Sequence, residues 1–376
     1  EFQLHGGLAV VAAPLEALGR LPGFRPAEAG EFTRRAFVNG RLDLTAVEAL
    51  ADLIGAETEA QRRQAVRQLR GALGKRAEAW RSRLIELQAL IEASLDFSDE
   101  GDVPADLVET VLRGAGELER EIRQVLADGG RGERLRDGLT IAIAGPPNAG
   151  KSTLFNWLAG REAAIVSPYP GTTRDVLEVH LELLGYPVTV LDTAGVRMSD
   201  DPVEREGIFR ARARAAEADL VLWVVDATAD GAGDCDLAGR GGADQGSVWR
   251  VFNKADLIDS DAKRSALGEM KSAGDRSFVV SALTEKGLPE LLAALGDFAR
   301  DRLSAGDSVL ITRARHRHAL NEAAEALGRV AARGAAQEDL IAEDLRVAAA
   351  CMGRLVGRID VEDVLDAIFR DFCIGK

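Results

Sequence analysis

The residues best equipped for chemistry lie near the middle of the chain, in GPPNAGKS, Gly145 to Ser152. The stretch matches the P-loop pattern and stands where that pattern requires, between the strand-like LTIAIAG and the helical run TLFNWLAG. In such a loop the backbone N–H groups and the helix N-terminus cradle phosphate oxygens, Lys151 reaches the β- and γ-phosphates, and Ser152 offers its hydroxyl to Mg²⁺. DTAG, Asp192 to Gly195, ends another strand-like run and brings a carboxylate for the same Mg²⁺ shell and a glycine amide near the γ-phosphate. NKAD, Asn253 to Asp256, follows a further strand-like run. A carboxylate such as Asp256 accepts from the N1–H and exocyclic amine of guanine, a pair that adenine does not present. SAL, Ser281 to Leu283, supplies backbone amides for the guanine oxygen. The nucleotide these parts select is GTP rather than ATP.

In this order the four parts resemble the GTPase motif set. The nucleotide-contacting positions are then Asn148, Ala149, Gly150, Lys151, Ser152, Thr153, Ser167, Thr172, Thr173, Asp192, Thr193, Ala194, Gly195, Asn253, Lys254, Asp256, Ser281, Ala282 and Leu283. Thr173, in the first-switch stretch GTTRD, is suited to complete the Mg²⁺ shell with Ser152 and Asp192. Hydrolysis needs a further group. Many small GTPases carry a Gln directly after DTAG to orient the attacking water, and here that position is Val196. Beyond it, DDPVEREG holds Glu204 and Arg205 in the second switch. From the residues alone Glu204 reads rather as a solvated carboxylate at a helix start.

Elements must position these parts. Strand-like runs cover 139–145, 188–195, 219–227, 247–256 and 277–283, with helical segments between them, which is the signature of a doubly wound, mostly parallel sheet. Before the sheet, Leu44, Val47, Leu50, Leu53 and Ile54 recur at helical steps with Asp43 or Thr45 as N-cap, and further helical runs cover about 74–96 and 104–127. The acidic DFSDEGDVP between those two runs reads as a solvated loop, and ADGGRGERLRDG, 127–138, as a polar linker. From about residue 300 only amphipathic helices remain. Helices both before and after the sheet point to one helical domain interrupted by an inserted α/β domain, since each half alone would leave an apolar face uncovered.

Composition bounds the rest. A chain of 376 residues is long enough for two or three domains, and 46% apolar with only 5% aromatic residues favours aliphatic, helix-rich packing. A formal charge of −14 argues against a general polyanion binder, so any nucleic-acid contact is local or shared with a partner. Cys235, Cys351 and Cys373 have neither disulfide-framework nor zinc-ligand spacing. There is no secretory signal and no apolar run of bilayer length, so the chain reads as soluble and cytoplasmic, with no membrane partner. Its first residue, Glu1, reads as a start inside a domain.

AGEFTRRAFVNGRLDLTAVEALADLI, LDFSDE, GPPNAGKST, GTTRD, DTAGVR with VEREGI, and the terminal CIGK together resemble the bacterial tRNA-modification GTPases of the MnmE/TrmE type, along essentially the whole chain. The resemblance implies α/β plus all-α architecture: a Ras-like P-loop GTPase domain inserted in a helical bundle, with the remainder of a small α+β folate-binding domain ahead of it. The corresponding boundaries are 1–40 for the folate-binding part, 41–137 and 301–376 for the two halves of the helical domain, and 138–300 for the GTPase domain. It also implies a homodimer working in a heterotetramer with the FAD-dependent partner MnmG (GidA) on tRNA. Their product is an aminomethyl or carboxymethylaminomethyl group at C5 of the wobble uridine, with a formyl- or methylene-tetrahydrofolate as one-carbon donor.

Residue by residue, the resemblance makes Asn148 a potassium ligand, with Ser167, Tyr169 and Thr172 completing the K⁺ site where an arginine finger would place its charge. It makes Glu204 the catalytic group that orients water, beside Arg205, when two GTPase domains meet. Glu1, Arg41 and Lys376 fall at folate-contacting positions, Arg41 standing where Lys is usual. Cys373, in FRDFCIGK, becomes a candidate for the modification chemistry, its thiolate favoured if Arg370 and Lys376 lie nearby. A competing reading is a ribosome-assembly GTPase that binds rRNA. Such a protein should carry a basic module after the GTPase domain, whereas 300–376 are acidic-to-mixed helices, and it has no use for a terminal Cys-x-Gly-Lys.

Overall fold

The computed structural model describes residues 2–96, 107–127, 130–161, 178–192, 218–229, 247–258, 276–304, 309–333 and 337–359. Glu1, Ser167, Tyr169, Thr172, Thr173, Thr193, Ala194, Gly195, Val196, Glu204, Arg205, Arg370, Cys373 and Lys376 fall outside them. The chain forms two compact units: 1–55, 65–127 and 315–376 make one, 56–64 and 128–314 the other.

The first unit is helical. Its elements are α1 (Leu8–Gly19), α2 (Glu31–Val38), α3 (Leu44–Ile54), the end of α4 (Glu59–Leu69), α5 (Ala72–Asp96) and α6 (Leu107–Leu126). Returning later in the chain are α10 (Ala314–Ala332) and α11 (Glu338–Val356). Asp43 is the N-cap of α3, its Oδ1 accepting from the Ala46 N–H at 2.8 Å, as the sequence reading offered. On α6, Val108, Val111, Ala115, Leu118, Ile122 and Val125 recur every three or four residues and are buried, one apolar stripe of the kind that must be covered. α5 packs against α6 and α11, with Trp80 in the core and its indole N–H donating to Glu121 at 3.0 Å.

A buried ionic cluster ties three of these helices together. Glu48 of α3 is 3% exposed; its Oε1 accepts from Arg315 Nε at 3.0 Å, and its Oε2 from Arg315 Nη2 at 2.8 Å and His316 Nε2 at 2.7 Å. Arg315 also donates to the Arg354 and Leu355 carbonyls, at 3.0 and 3.2 Å, closing the last turn of α11. Burial works to raise the Glu48 carboxyl, but the hydrogen bonds and charges of His316 and Arg315 outweigh it and hold the group down to about 2. Cys351 of α11 is fully buried, and burial pushes its thiol up.

The second unit carries a six-stranded sheet: β1 (Leu139–Ala144), β2 (Glu178–Leu183), β3 (Tyr186–Asp192), β4 (Leu220–Asp226), β5 (Ser247–Asn253) and β6 (Ser277–Val279). Their order is β2-β3-β1-β4-β5-β6, parallel except for the β2–β3 hairpin. α8 (Lys151–Ala159) packs on β1 and β3 and α9 (Leu288–Leu303) on β3, burying Leu154, Leu158, Leu291 and Leu295 against Ile141, Val190 and Leu222. This is the P-loop GTPase architecture. Within it, residues 127–138 are not merely a linker: Arg131–Asp137 form a helix, α7. Gly132 allows the approach, since a Cβ there would lie 2.1 Å from the Ile311 carbonyl oxygen. Gln61 and Gln64 of α4 donate to the Arg136 and Gly132 carbonyls at 2.9 and 3.0 Å, so polar residues face inward.

Glu48 contributes stability that is present above the ordinary carboxyl range near pH 4.5 and lost as pH falls towards 2. The shift corresponds to about 3 kcal/mol. Glu48→Gln is expected to lower stability at pH 7 by about that amount. It should also shrink the loss that the unaltered protein shows between pH 4.5 and 2. Urea unfolding followed by far-UV circular dichroism measures both, and equal midpoints at pH 7 would show the cluster to be energetically inert.

Candidate functional site

Every described part of the nucleotide motifs lies at the carboxyl ends of the parallel strands, the edge where open α/β sheets bind ligands. The 145–150 loop follows β1, Asp192 ends β3, Asn253 ends β5 and Ser281 follows β6. Two glycines make the loop possible. Gly145, at φ +141°, would place a Cβ 2.0 Å from the Val224 carbonyl oxygen, and Gly150, at φ +89°, would place one 2.2 Å from Asn253 Nδ2.

Lys151 starts α8 and is almost wholly buried; its Nζ donates to the Gly145 and Pro146 carbonyls at 2.9 and 2.7 Å. Burial lowers its basicity, opposed by the charge of Asp192. The ammonium is thus held inside the loop by two neutral acceptors that phosphate oxygens can replace. Ser152 Oγ donates to Asp192 Oδ2 at 3.3 Å, bringing a hydroxyl and a carboxylate together. Oxygen donors of this hardness suit Mg²⁺. Among the described residues no cluster of three or more His, Cys, Asp or Glu side chains is poised for a metal.

Asn253 joins two loops. Its Nδ2 donates to the Ala149 carbonyl of the phosphate loop, and its Oδ1 accepts from the Ala282 N–H of SAL, both at 2.9 Å. Ser281 is fully buried and its Oγ accepts from the Thr284 N–H at 3.1 Å, while Leu283 is 79% exposed. Asp256 is exposed on the short 3₁₀ turn Ala255–Leu257, which Lys254 enters at φ +65°. Asn148 is exposed at the tip of the phosphate loop with φ +61°. Ala149 is buried, whereas Ser152 and Thr153 are exposed. Arg41 is exposed in the helical unit, where its backbone N–H bonds the Ala36 carbonyl.

One residue of the site escaped the sequence reading. Asp226, the last residue of β4, accepts from Lys254 Nζ at 2.6 Å. Burial works to raise its carboxyl, but Lys254 and Thr228 outweigh it and hold it low. The available signal was a carboxylate ending an otherwise apolar strand.

A phosphate loop after β1, an acidic residue ending β3 and Asn-Lys-x-Asp after β5 define a P-loop GTPase. The model of the MnmE helical domain matches residues 44–373, and that of the GTP-binding protein TrmE N-terminus matches 1–41. The tRNA modification GTPase MnmE of Rhodopseudomonas palustris (strain BisB18) is 56% identical over 376 residues, spanning all of this chain and 82% of that protein. The one from Parvibaculum lavamentivorans (strain DS-1) is 52% identical over 378 residues, again spanning all of this chain and 82% of the relative. The chain belongs to the tRNA modification GTPase MnmE family. Among solved structures, the G domain of the T. maritima FeoB iron transporter is 27% identical and covers 42% of this chain and 98% of its own, at a TM-score of 0.30. The class assignment rests on the strand order and site instead. No helix among the described residues is long and apolar enough to cross a membrane.

Removing the Asn253 amide would leave a buried carbonyl and a buried N–H unpaired. Asn253→Ala is therefore expected to cost about 3 kcal/mol of stability and to weaken guanosine diphosphate binding. Urea unfolding and fluorescence titration check the two parts separately; a variant with parental stability would refute the bridging role.

Proposed function

We propose that this GTPase couples GTP hydrolysis to modification of C5 of the wobble uridine in tRNA, as a homodimer acting with the FAD-dependent partner MnmG. The observation that carries the reading is the convergence of Lys151, Ser152, Asp192 and Asn253 at one sheet edge in a chain 56% identical throughout to a tRNA modification GTPase. Lys151 exchanges its two carbonyl partners for phosphate oxygens. Ser152 and Asp192, with Thr173, hold Mg²⁺, which when bound neutralises the phosphate oxygens. Asp256 reads the guanine edge, beside the amides of Ser281 to Leu283.

Because Val196 cannot orient water, Glu204 takes that role, with Arg205 beside it, as the GTPase domains of two chains meet. Asn148, which is exposed, shares a K⁺ site with Ser167, Tyr169 and Thr172 in this reading. The positive charge there replaces an arginine finger. Glu1, Arg41 and Lys376 hold the tetrahydrofolate donor, and the Cys373 thiol takes part in the modification step.

Two experiments test this. Mass spectrometry of wobble uridine in tRNA from cells lacking the protein should show the modification missing and restored by complementation; an unchanged modification level would sink the proposal. Glu204→Ala should keep GTP affinity while losing turnover, and the parental rate should be higher in KCl than in NaCl. Undiminished hydrolysis removes Glu204 from the mechanism, and equal rates remove the potassium.

A further inference from the structure

Lys254 enters its turn at φ +65°, a conformation that non-glycine residues seldom hold without support. Two residues on, the turn presents Asp256. The support comes from the neighbouring strand. Asp226 is the register partner of Asn253 across β4 and β5, and the Ala227 N–H bonds the Asn253 carbonyl at 2.8 Å, so the two strand ends are fixed against each other. Both oxygens of Asp226 are engaged: Oδ2 accepts from Lys254 Nζ at 2.6 Å, and Oδ1 accepts from Thr228 N and Oγ1 at 2.9 and 2.7 Å. The carboxylate is thus locked by its own strand end before it meets the lysine. The Lys254 stem is held at both ends, at its Cα past β5 and at its ammonium on β4.

A free lysine side chain carries considerable rotamer entropy, and fixing it in advance lowers the cost of binding. We infer that Asp226 is a positioning residue of the guanine site, holding Lys254 and with it the 255–257 turn in the form that presents Asp256 to a guanine nucleotide. This rests on the reading of Asp256 as the guanine-edge group. Asp226 itself touches no nucleotide; its effect passes through Lys254.

Inosine diphosphate lacks the exocyclic amine that Asp256 would bind, so the affinity ratio of guanosine to inosine diphosphate reports the placement of that carboxylate. General loosening lowers both affinities and leaves the ratio intact. Asp226→Asn keeps the side-chain shape but turns an amide towards the ammonium, and is expected to reduce the ratio about tenfold. Lys254→Met should do the same, and the double variant should fall no further than either alone, the coupling expected of residues acting as one. Thr228→Val, which spares both charges, should give a smaller loss in the same direction and serves if Asp226→Asn folds poorly. An unchanged ratio in Asp226→Asn and Thr228→Val, or additive losses with Lys254→Met, overturns the inference. Asp256→Asn separates it from its premise: a parental ratio there defeats the guanine-edge reading itself. A lost ratio in Asp256→Asn beside an intact one in Asp226→Asn defeats only the role of Asp226.

Discussion

The side-chain amide of Asn253 is the interaction on which the site depends. It bonds both the phosphate loop, through Ala149, and the Ser281–Leu283 loop, through Ala282. A buried amide can do this because it has a donor and an acceptor back to back, and no apolar or singly polar side chain of that size could satisfy both loops. Gly150 exists in the same space: any side chain there would collide with the Asn253 nitrogen. The order of the motifs along the chain thus becomes a single rigid edge, and the parallel strands set their separation.

Charge is handled differently in the two units. In the sheet unit the buried Lys151 and the half-buried Asp226 have replaceable or local partners, suited to a ligand that brings its own charge. In the helical unit Glu48 is sunk among three helices, with Arg315 and His316 saturating it. A buried carboxylate tolerates that position only while its cationic, hydrogen-bonding partners remain, since losing them leaves an uncompensated charge and unpaired oxygens. Arg315 spends its remaining hydrogens on the end of α11, so the same side chain serves ion pairing and helix termination.

What was legible in the residues follows from periodicity. The strands β1, β3, β4 and β5 are apolar enough to read directly, and α5, α6 and α11 show their stripes. α4 and α7 did not read as helices because neither carries a long apolar stripe: Gln61 and Gln64 turn towards carbonyls, and α7 buries only Gly132 and Leu135. β2 escaped as well, being an antiparallel edge strand whose burial is only partial along its first half. Polar side chains satisfied by backbone look, in sequence, like solvated ones.

By itself the sequence determined the class of chemistry, because the phosphate loop, the Asp that ends β3 and the Asn-Lys-x-Asp motif each demand particular residue types at fixed spacing. It also determined that Gln is absent after DTAG, leaving Val196 there. Only the tertiary structure decided what joins these parts: that Asn253 spans two loops, that Ser152 and Asp192 come within hydrogen-bond reach, and that Asp226 holds Lys254. Those pairings lie 28 to 104 residues apart in the chain. No local pattern encodes them, because strand register, set by burial of the whole sheet, is what brings their side chains together.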